Sequence, residues 1–323
     1  MTDLLGTYTK PLAYLGLFAL GKTAFSLIRQ ATTYLLPSTL QRYNSTKTNW
    51  ALVTGATDGI GFGFGQELCA RGFNVILHGR NAEKLDRRRR ELQTLFPEVC
   101  IAVLVRDAQN VTADIDDVDA EVRDIIRRSN STAGSDSQRD TGRLTVLINN
   151  VGGETKPSTL LKEYTFEDVQ ATVSRNATFA IQITRVLAAQ LEENAPGLVM
   201  NVSSLAAFGL PYISIYSSTK GFVDSFTKSL CAEFAAEGKK VEVIGLRVGE
   251  VSTPGNLFIP EARVLAAAAL DRVGCGQEIV WAYFWHWLQG LSFEYLPRGV
   301  LMKIAAMKLK AIRADQEAKA KSS

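Results

Sequence analysis

Tyr216 and Lys220 stand four positions apart in Tyr216-Ser-Ser-Thr-Lys220, a spacing that puts both on one face of a helix. A phenol and an ammonium opening into one cleft make a proton donor. The cation favours the phenolate and brings a group with a reference pKa of about 10 nearer to working pH. Upstream, Asn201-Val-Ser203-Ser204 ends an apolar run and sets two hydroxyls where a carbonyl oxygen could be held. Further upstream, Trp50-Ala-Leu-Val-Thr-Gly-Ala-Thr-Asp-Gly-Ile-Gly61 places three glycines after an apolar run and at the start of a helical pattern. Gly55 permits a sharp turn, Gly59 lets a pyrophosphate approach the backbone, and Gly61 lets the helix pack close. Free N–H groups and the dipole at the helix start attract phosphate. Gly55, Thr57, Asp58, Gly59, Ile60 and Gly61 are thus the candidate dinucleotide cradle.

The second apolar run ends Ile76-Leu77-His78-Gly79-Arg80. Dinucleotide folds place an acid there for the ribose 2′-hydroxyl of NAD. This chain has none, and Arg80 is positioned to pair with a 2′-phosphate, so NADP(H) is the expected cofactor. Asp107 follows the third run; it either reaches the adenine or serves as a turn or cap residue.

Six short apolar runs, Trp50–Thr54, Asn74–Leu77, Cys100–Val105, Leu144–Ile148, Leu198–Val202 and Val241–Leu246, lack polar alternation and read as strands covered on both faces. Helical patterns over roughly Gly61–Arg71, Ala82–Leu95, Ile115–Arg128, Phe166–Glu192 and Tyr216–Glu237 separate them. Such alternation implies right-handed crossovers and an α/β fold, a single Rossmann-type doubly wound parallel sheet with helices on both faces. Ser129–Gly142 has no apolar period and reads as a mobile surface insertion.

Composition narrows the chemistry. The 323 residues are 46% hydrophobic and 21% charged, with 36 Lys+Arg against 33 Asp+Glu and a net charge of +3. A disordered chain is excluded, and so is a nucleic-acid binder that relies on a strong global positive field. Four scattered cysteines form no CxxC pair, which suits reduced thiols facing the cytosol. With only His78 and His286 available, no metal site is expected.

Together these motifs resemble the short-chain dehydrogenase/reductase family over roughly Trp50 to Thr253. Thr54–Gly61 resembles its TGxxxGxG loop, Asn149-Asn150-Val151-Gly152 its NNAG motif, and Tyr216/Lys220 its YxxxK. The resemblance implies that Asn149 and Asn150 lie at the cofactor, as do Tyr216 and Lys220. It makes Asn176 the asparagine of the family's catalytic tetrad, steadying a water in the proton relay. The catalytic serine is Ser203 by counting back from the tyrosine, or Ser204 by matching the strand end. The family's PGxVxT reads Val248-Gly249-Glu250-Val251-Ser252-Thr253, without the proline; Val251 and Thr253 are expected at the nicotinamide carboxamide. Within the family, ATDGIG, NNVG and an apolar N-terminal segment resemble the membrane-bound 3-oxoacyl-CoA reductase and 17β-hydroxysteroid dehydrogenase branch. That implies NADPH-dependent reduction of a ketone on a lipophilic substrate, best a 3-oxoacyl-CoA. A steroid or a specialised-metabolism intermediate is the alternative, and a catalytically silent dinucleotide-binding protein is the rival of a different class.

The flanks fit a membrane surface as partner. Residues 1–49 read as an apolar N-terminal arm, a candidate membrane anchor with Lys22 and Arg29 at its polar positions, followed by a polar linker over Pro37–Lys47. Its uninterrupted part, Pro11 to Gly21, is short for a span of about 20 residues. The catalytic domain is expected over 50–323. Its substrate region lies near 251–300, where Trp281, Phe284, Trp285 and Leu288 would share a helical face. The tail Lys319-Ala-Lys321-Ser-Ser resembles a KxKxx retrieval signal, implying the endoplasmic reticulum membrane with the catalytic domain facing the cytosol. A homodimer is a candidate assembly.

Overall fold

The computed structural model describes residues 2–132, 142–156, 158–252 and 254–322; side chains are described for fewer of them, chiefly at the two ends. The elements run α1 (Thr2–Leu35), β1 (Trp50–Val53), α2 (Gly59–Ala70), β2 (Asn74–Gly79), α3 (Ala82–Leu95), β3 (Ile101–Val105), α4 (Val118–Thr132), β4 (Leu144–Asn149), α5 (Phe166–Val173), α6 (Phe179–Glu193), β5 (Gly197–Val202), α7 (Ser214–Ala236), β6 (Val241–Arg247), α8 (Ala262–Leu270), β7 (Ile279–Trp281), α9 (Phe284–Tyr295) and α10 (Arg298–Ser322).

The strands form one parallel sheet in the order β3-β2-β1-β4-β5-β6-β7. Every residue of β1, β2, β4 and β5 is buried, as an apolar run covered on both faces must be. Alternate residues of β1 feed two cores. Ala51 and Val53 meet Phe64 and Leu68 of α2 and Leu265 of α8, whereas Trp50 and Leu52 join Val122 of α4 and Ile183 of α6. The strand order reverses between β1 and β4, and a crevice opens at the carboxyl ends there, the usual ligand site of such sheets.

The six expected strands and four of the five expected helices are present, with ends shifted by a few residues; the fifth, Phe166–Glu192, is divided into α5 and α6 by a π turn. A seventh strand, β7, completes the sheet beside β6. Trp281 belongs to it, so it does not share a helical face with Phe284, Trp285 and Leu288. It is buried, and its ring stacks with Phe208 at 6.3 Å. The insertion expected from Ser129 begins inside α4, and residues 133–141 lie outside those described.

Two flanking segments differ from expectation. Over Thr9–Leu35, α1 is a continuous 27-residue helix of mean hydropathy 1.4, with none of its apolar window buried. At 1.5 Å per residue it is about 40 Å long, enough to cross a bilayer. Pro11 lies inside the helix without ending it, so the short run Pro11–Gly21 understated its length. The end of α1 docks on the C-terminal part: the Tyr34 hydroxyl donates to the Trp281 carbonyl at 3.0 Å, and its ring meets Phe284 edge-on at 5.4 Å. The stretch expected as a linker is packed rather than free. Leu40 and Tyr43 are buried, Ser38 Oγ donates to the Leu270 carbonyl at 2.7 Å, and Asn44 Nδ2 donates to the Gly72 carbonyl at 2.9 Å.

Candidate active site

The glycine loop, the ends of β2, β3 and β4, and the first turns of α7 enclose a cleft of about 520 Å³. Gly55 and Gly59 take φ of +67° and +54°, a region that favours glycine. Gly59 lines the cleft, and a Cβ there would meet nothing within 4 Å, so the loop backbone faces open space. A Cβ on Gly61 would collide with the Gly55 carbonyl, which is why the helix starts so close to the turn. Asp58 caps α2, its Oδ1 accepting from Gly59 N at 2.8 Å.

Side chains from three other elements hold this loop. Asn150 Nδ2 donates to the Thr54 carbonyl at 3.0 Å, while Thr54 Oγ1 accepts from the backbone of Asn150 at 2.9 Å and of Val151 at 3.1 Å. Arg88 of α3 donates from Nε to the Thr57 carbonyl at 3.1 Å. Buried His78 accepts from Gly55 N at 3.4 Å and stacks on Phe179 at 4.8 Å. Burial lowers its imidazole to about 4, so it stays neutral. The spacing of Arg88 and His78 from the loop gave no sign of either contact.

Arg80 and Asp107 line the cleft as expected. Arg80 Nη1 donates to Gln109 Oε1 at 2.8 Å, and Asp107 Oδ1 accepts from Gln109 N at 3.0 Å, the turn-residue role. Arg106 adds a second cation to the same end. Asn149, expected at the cofactor, does not line the cleft. Its Nδ2 donates to Thr184 Oγ1 and Asn201 Oδ1, both at 2.8 Å, and Asn201 Nδ2 donates to Thr227 Oγ1 at 2.9 Å. That chain of buried amides bolts β4 and β5 to α6 and α7. Val251 is half-buried, packed on the core rather than lining the cleft, and Thr253 lies outside the described residues.

Tyr216 and Lys220 both line the cleft from α7, with the Lys220 Nζ 5.7 Å from the Tyr216 ring centroid. Lys220 is buried and donates to the Val202 carbonyl at 2.8 Å; burial, opposed by Asp224, brings its ammonium down to about 8. Asn176 sits in a π turn, Ser174–Thr178, between α5 and α6, a distortion that recurs at functional sites. Its Oδ1 accepts from Gly153 N at 2.8 Å and its Nδ2 donates to the Gly153 carbonyl at 2.9 Å. A Cβ on Gly152 would stand 2.9 Å from Lys220 Nζ and 3.3 Å from Asn176 Oδ1, so the two side chains face one another across that glycine.

The serines divide. Ser203 is buried at the cleft wall with its hydroxyl donating to the Lys220 carbonyl at 3.2 Å. Ser204 accepts from Ala206 N at 3.1 Å and hydrogen-bonds Tyr216. The net shift of Tyr216 in the open cleft is upward. Burial raises Tyr216 above its ordinary 10.0; the Ser204 bond and the charge of Arg175 pull it down, and Glu154 pushes it up.

Glu154 and Arg175 belong to no motif in the sequence, although each adjoins a motif segment. Arg175 precedes Asn176, lines the cleft and donates from Nη2 to the Gly153 carbonyl at 2.7 Å. Glu154 follows the Asn149–Gly153 loop with its Oε1 buried and unpartnered, and burial raises its carboxyl to about 7. Beside β6 and β7, Phe208 stacks on Phe293 at 4.9 Å, with the Arg247 guanidinium 4.7 Å from the Phe208 ring centroid.

The chain is 30% identical over 249 residues to very-long-chain 3-oxoacyl-CoA reductase-A of Danio rerio, covering 75% of this chain and 72% of that one. It is 31% identical over 288 residues to a very-long-chain 3-oxoacyl-CoA reductase-like protein of Arabidopsis thaliana, covering 84% and 85%. Among solved structures, a bulky-bulky ketone specific alcohol dehydrogenase from Comamonas testosteroni matches the fold with a TM-score of 0.60 at 22% identity, covering 78% of this chain and 100% of that one. A short-chain dehydrogenase from Sphingobium yanoikuyae, solved in complex with NADPH, has a TM-score of 0.58 at 21% identity, with 77% and 97% covered. A family model for short chain dehydrogenases matches residues 49–263, from the turn before β1 into α8, and on that match the chain belongs to the short-chain dehydrogenase family.

Proposed function

We propose that the protein uses NADPH to reduce the 3-keto group of a long-chain 3-oxoacyl-CoA to the 3-hydroxyacyl thioester. One observation carries the proposal. Tyr216 and Lys220 share the wall of a cleft rimmed by the glycine loop, in a chain about 30% identical over most of its length to reductases of that name. The residues present fit the cofactor. Gly55, Gly59 and Ile60 line the cleft at the start of α2, whose N-terminal dipole favours the diphosphate, and Arg80 and Arg106 bring two cations to the adenosine end, where a 2′-phosphate would sit.

The bound nicotinamide supplies the hydride for the carbonyl carbon. Tyr216 gives its proton to the carbonyl oxygen, so the carbonyl π bond is replaced by one C–H and one O–H bond. A phenol raised by burial keeps that proton at neutral pH, which suits a donor in the reducing direction. Lys220, held near 8, is charged at neutral pH and can return a proton to Tyr216. Ser204 carries the catalytic hydroxyl, because it pairs with Tyr216 while Ser203 is committed to the Lys220 carbonyl. Asn176 fixes the Gly152–Gly153 backbone beside Lys220.

In the same proposal α1 anchors the enzyme in the endoplasmic reticulum membrane with the cleft on the cytosolic side. Its length and exposed apolar surface support this, and exposed Phe284 and Leu288 of α9 add apolar surface beside its docked end. The test is NADPH oxidation by detergent-solubilised protein with 3-oxoacyl-CoA thioesters of increasing length, steroid ketones and other bulky ketones. Turnover that rises with acyl length is the expected result. NADPH binding without turnover of any ketone would establish the silent dinucleotide-binding protein instead.

A further inference from the structure

The chain has two histidines, and each is buried against a backbone loop at the carboxyl edge of the sheet. His78 accepts the Gly55 N–H of the glycine loop. His286, the third residue of α9, is fully buried and reaches the segment that follows β6. Its Nδ1 lies 3.0 Å from Gly249 N and its Nε2 lies 3.1 Å from the Glu250 carbonyl oxygen. A backbone N–H only donates and a carbonyl only accepts, so the ring must be the neutral tautomer with its proton on Nε2. Burial lowers its pKa, which favours that state, and the Tyr283 ring closes on it edge-to-face at 5.3 Å.

The fit is tight from the loop side as well. A Cβ on residue 249 would stand 2.8 Å from His286 Cδ2 and 3.0 Å from Nε2, so the imidazole fills the space that a side chain at Gly249 would need. Val248, one residue earlier, lines the cleft. This is the segment where the proline of PGxVxT is replaced by valine. Proline locks φ and stiffens a loop; valine does not, and two hydrogen bonds from a distant helix supply the constraint instead.

We propose that His286 is a positioning residue that brackets the Gly249–Glu250 backbone, fixing the wall of the nicotinamide end of the cleft from α9. The role at the cofactor rests on the NADPH reading above; the bracket itself does not. It also couples the aromatic substrate-side helix to the cofactor wall, because α9 cannot move without releasing Gly249 N–H and the Glu250 carbonyl.

The test compares His286→Phe, which keeps a planar ring but no polar atom, with His286→Gln, whose amide keeps one acceptor and one donor. Amide hydrogen exchange of the peptide spanning 248–252 is measured on the full-length protein without cofactor, and NADPH affinity by fluorescence titration. Exchange in that peptide is expected to rise at least tenfold in His286→Phe and to return to within about threefold of wild type in His286→Gln, the scale of one or two buried hydrogen bonds. NADPH affinity should fall about tenfold in the Phe variant and recover in the Gln variant. Unchanged protection in His286→Phe overturns the bracket. Lost protection with unchanged NADPH affinity overturns its role at the cofactor, and a wild type that does not bind NADPH overturns the functional reading alone. If His286→Phe does not fold, Gly249→Ala displaces the imidazole from the other side; the same rise in exchange is expected, and its absence refutes the proposal.

Discussion

Replacing Glu154 by glutamine tests the half-buried carboxyl whose charge acts on Tyr216. Burial raises this group from an ordinary 4.5 to about 7, partly offset by the Ser158 backbone N–H and by Arg175. Between those two values the folded protein holds a proton that the unfolded chain has lost. The stabilisation tied to that proton is therefore complete below pH 4.5 and is lost as pH rises to about 7. The full gap corresponds to roughly 3 kcal/mol at 1.36 kcal/mol per tenfold change, and water around a half-buried side chain reduces this to about 1–2 kcal/mol. Glutamine has nearly the same shape and does not titrate. Glu154→Gln should therefore match wild type near pH 4.5 and exceed it by about 1–2 kcal/mol at pH 8, a rise of a few degrees in melting temperature. Intrinsic-fluorescence melts at pH 5, 6, 7 and 8, in one detergent and without cofactor, measure the difference. Because the Glu154 charge also raises Tyr216, the alkaline limb of the kcat profile should move to lower pH in the variant. A melting difference that stays constant with pH, or that favours wild type as pH rises, would contradict a raised Glu154 pKa.

Two other perturbations address the cofactor and the membrane. Arg80→Ala removes a cation at the adenosine end of the cleft; it should weaken NADPH binding about tenfold and leave NADH unchanged, the scale of one charge-assisted contact, whereas equal losses for both cofactors would take Arg80 off the 2′-phosphate. Deleting residues 2–30 removes most of α1 while keeping Thr33 and Tyr34, whose contacts dock its end. The truncated protein should leave the carbonate-resistant membrane fraction while retaining NADPH binding, and persistence in that fraction would point to a second anchor.

Much of the fold was legible because a doubly wound sheet writes itself as apolar runs between helical patterns. The glycine loop and the Tyr216/Lys220 pair were legible because their spacing is local. What was hidden depends on contacts between distant segments. β7 has only three residues, set in an aromatic stretch, so Trp281 read as helical. The 37–47 stretch looked like a solvated linker because composition does not distinguish polar atoms facing water from polar atoms bonded to backbone, as Ser38 and Asn44 are. Asn149 matched a cofactor motif yet serves the amide chain to Thr184 and Asn201. Sequence spacing likewise cannot show that Lys220 donates a hydrogen bond to the Val202 carbonyl. His286 lies 37 positions from the backbone N–H it receives, and no local pattern marks that contact.

In the proposed reduction, Tyr216 is the proton donor to the ketoacyl carbonyl. That role is tested most directly by measuring single-turnover NADPH oxidation with a long-chain 3-oxoacyl-CoA in wild type and Tyr216→Phe, alongside NADPH affinity in each. Wild type should form one 3-hydroxyacyl thioester per NADPH consumed, and the variant should keep its NADPH affinity while oxidising NADPH at least a hundredfold more slowly. Oxidation at the wild-type rate by Tyr216→Phe would contradict that role.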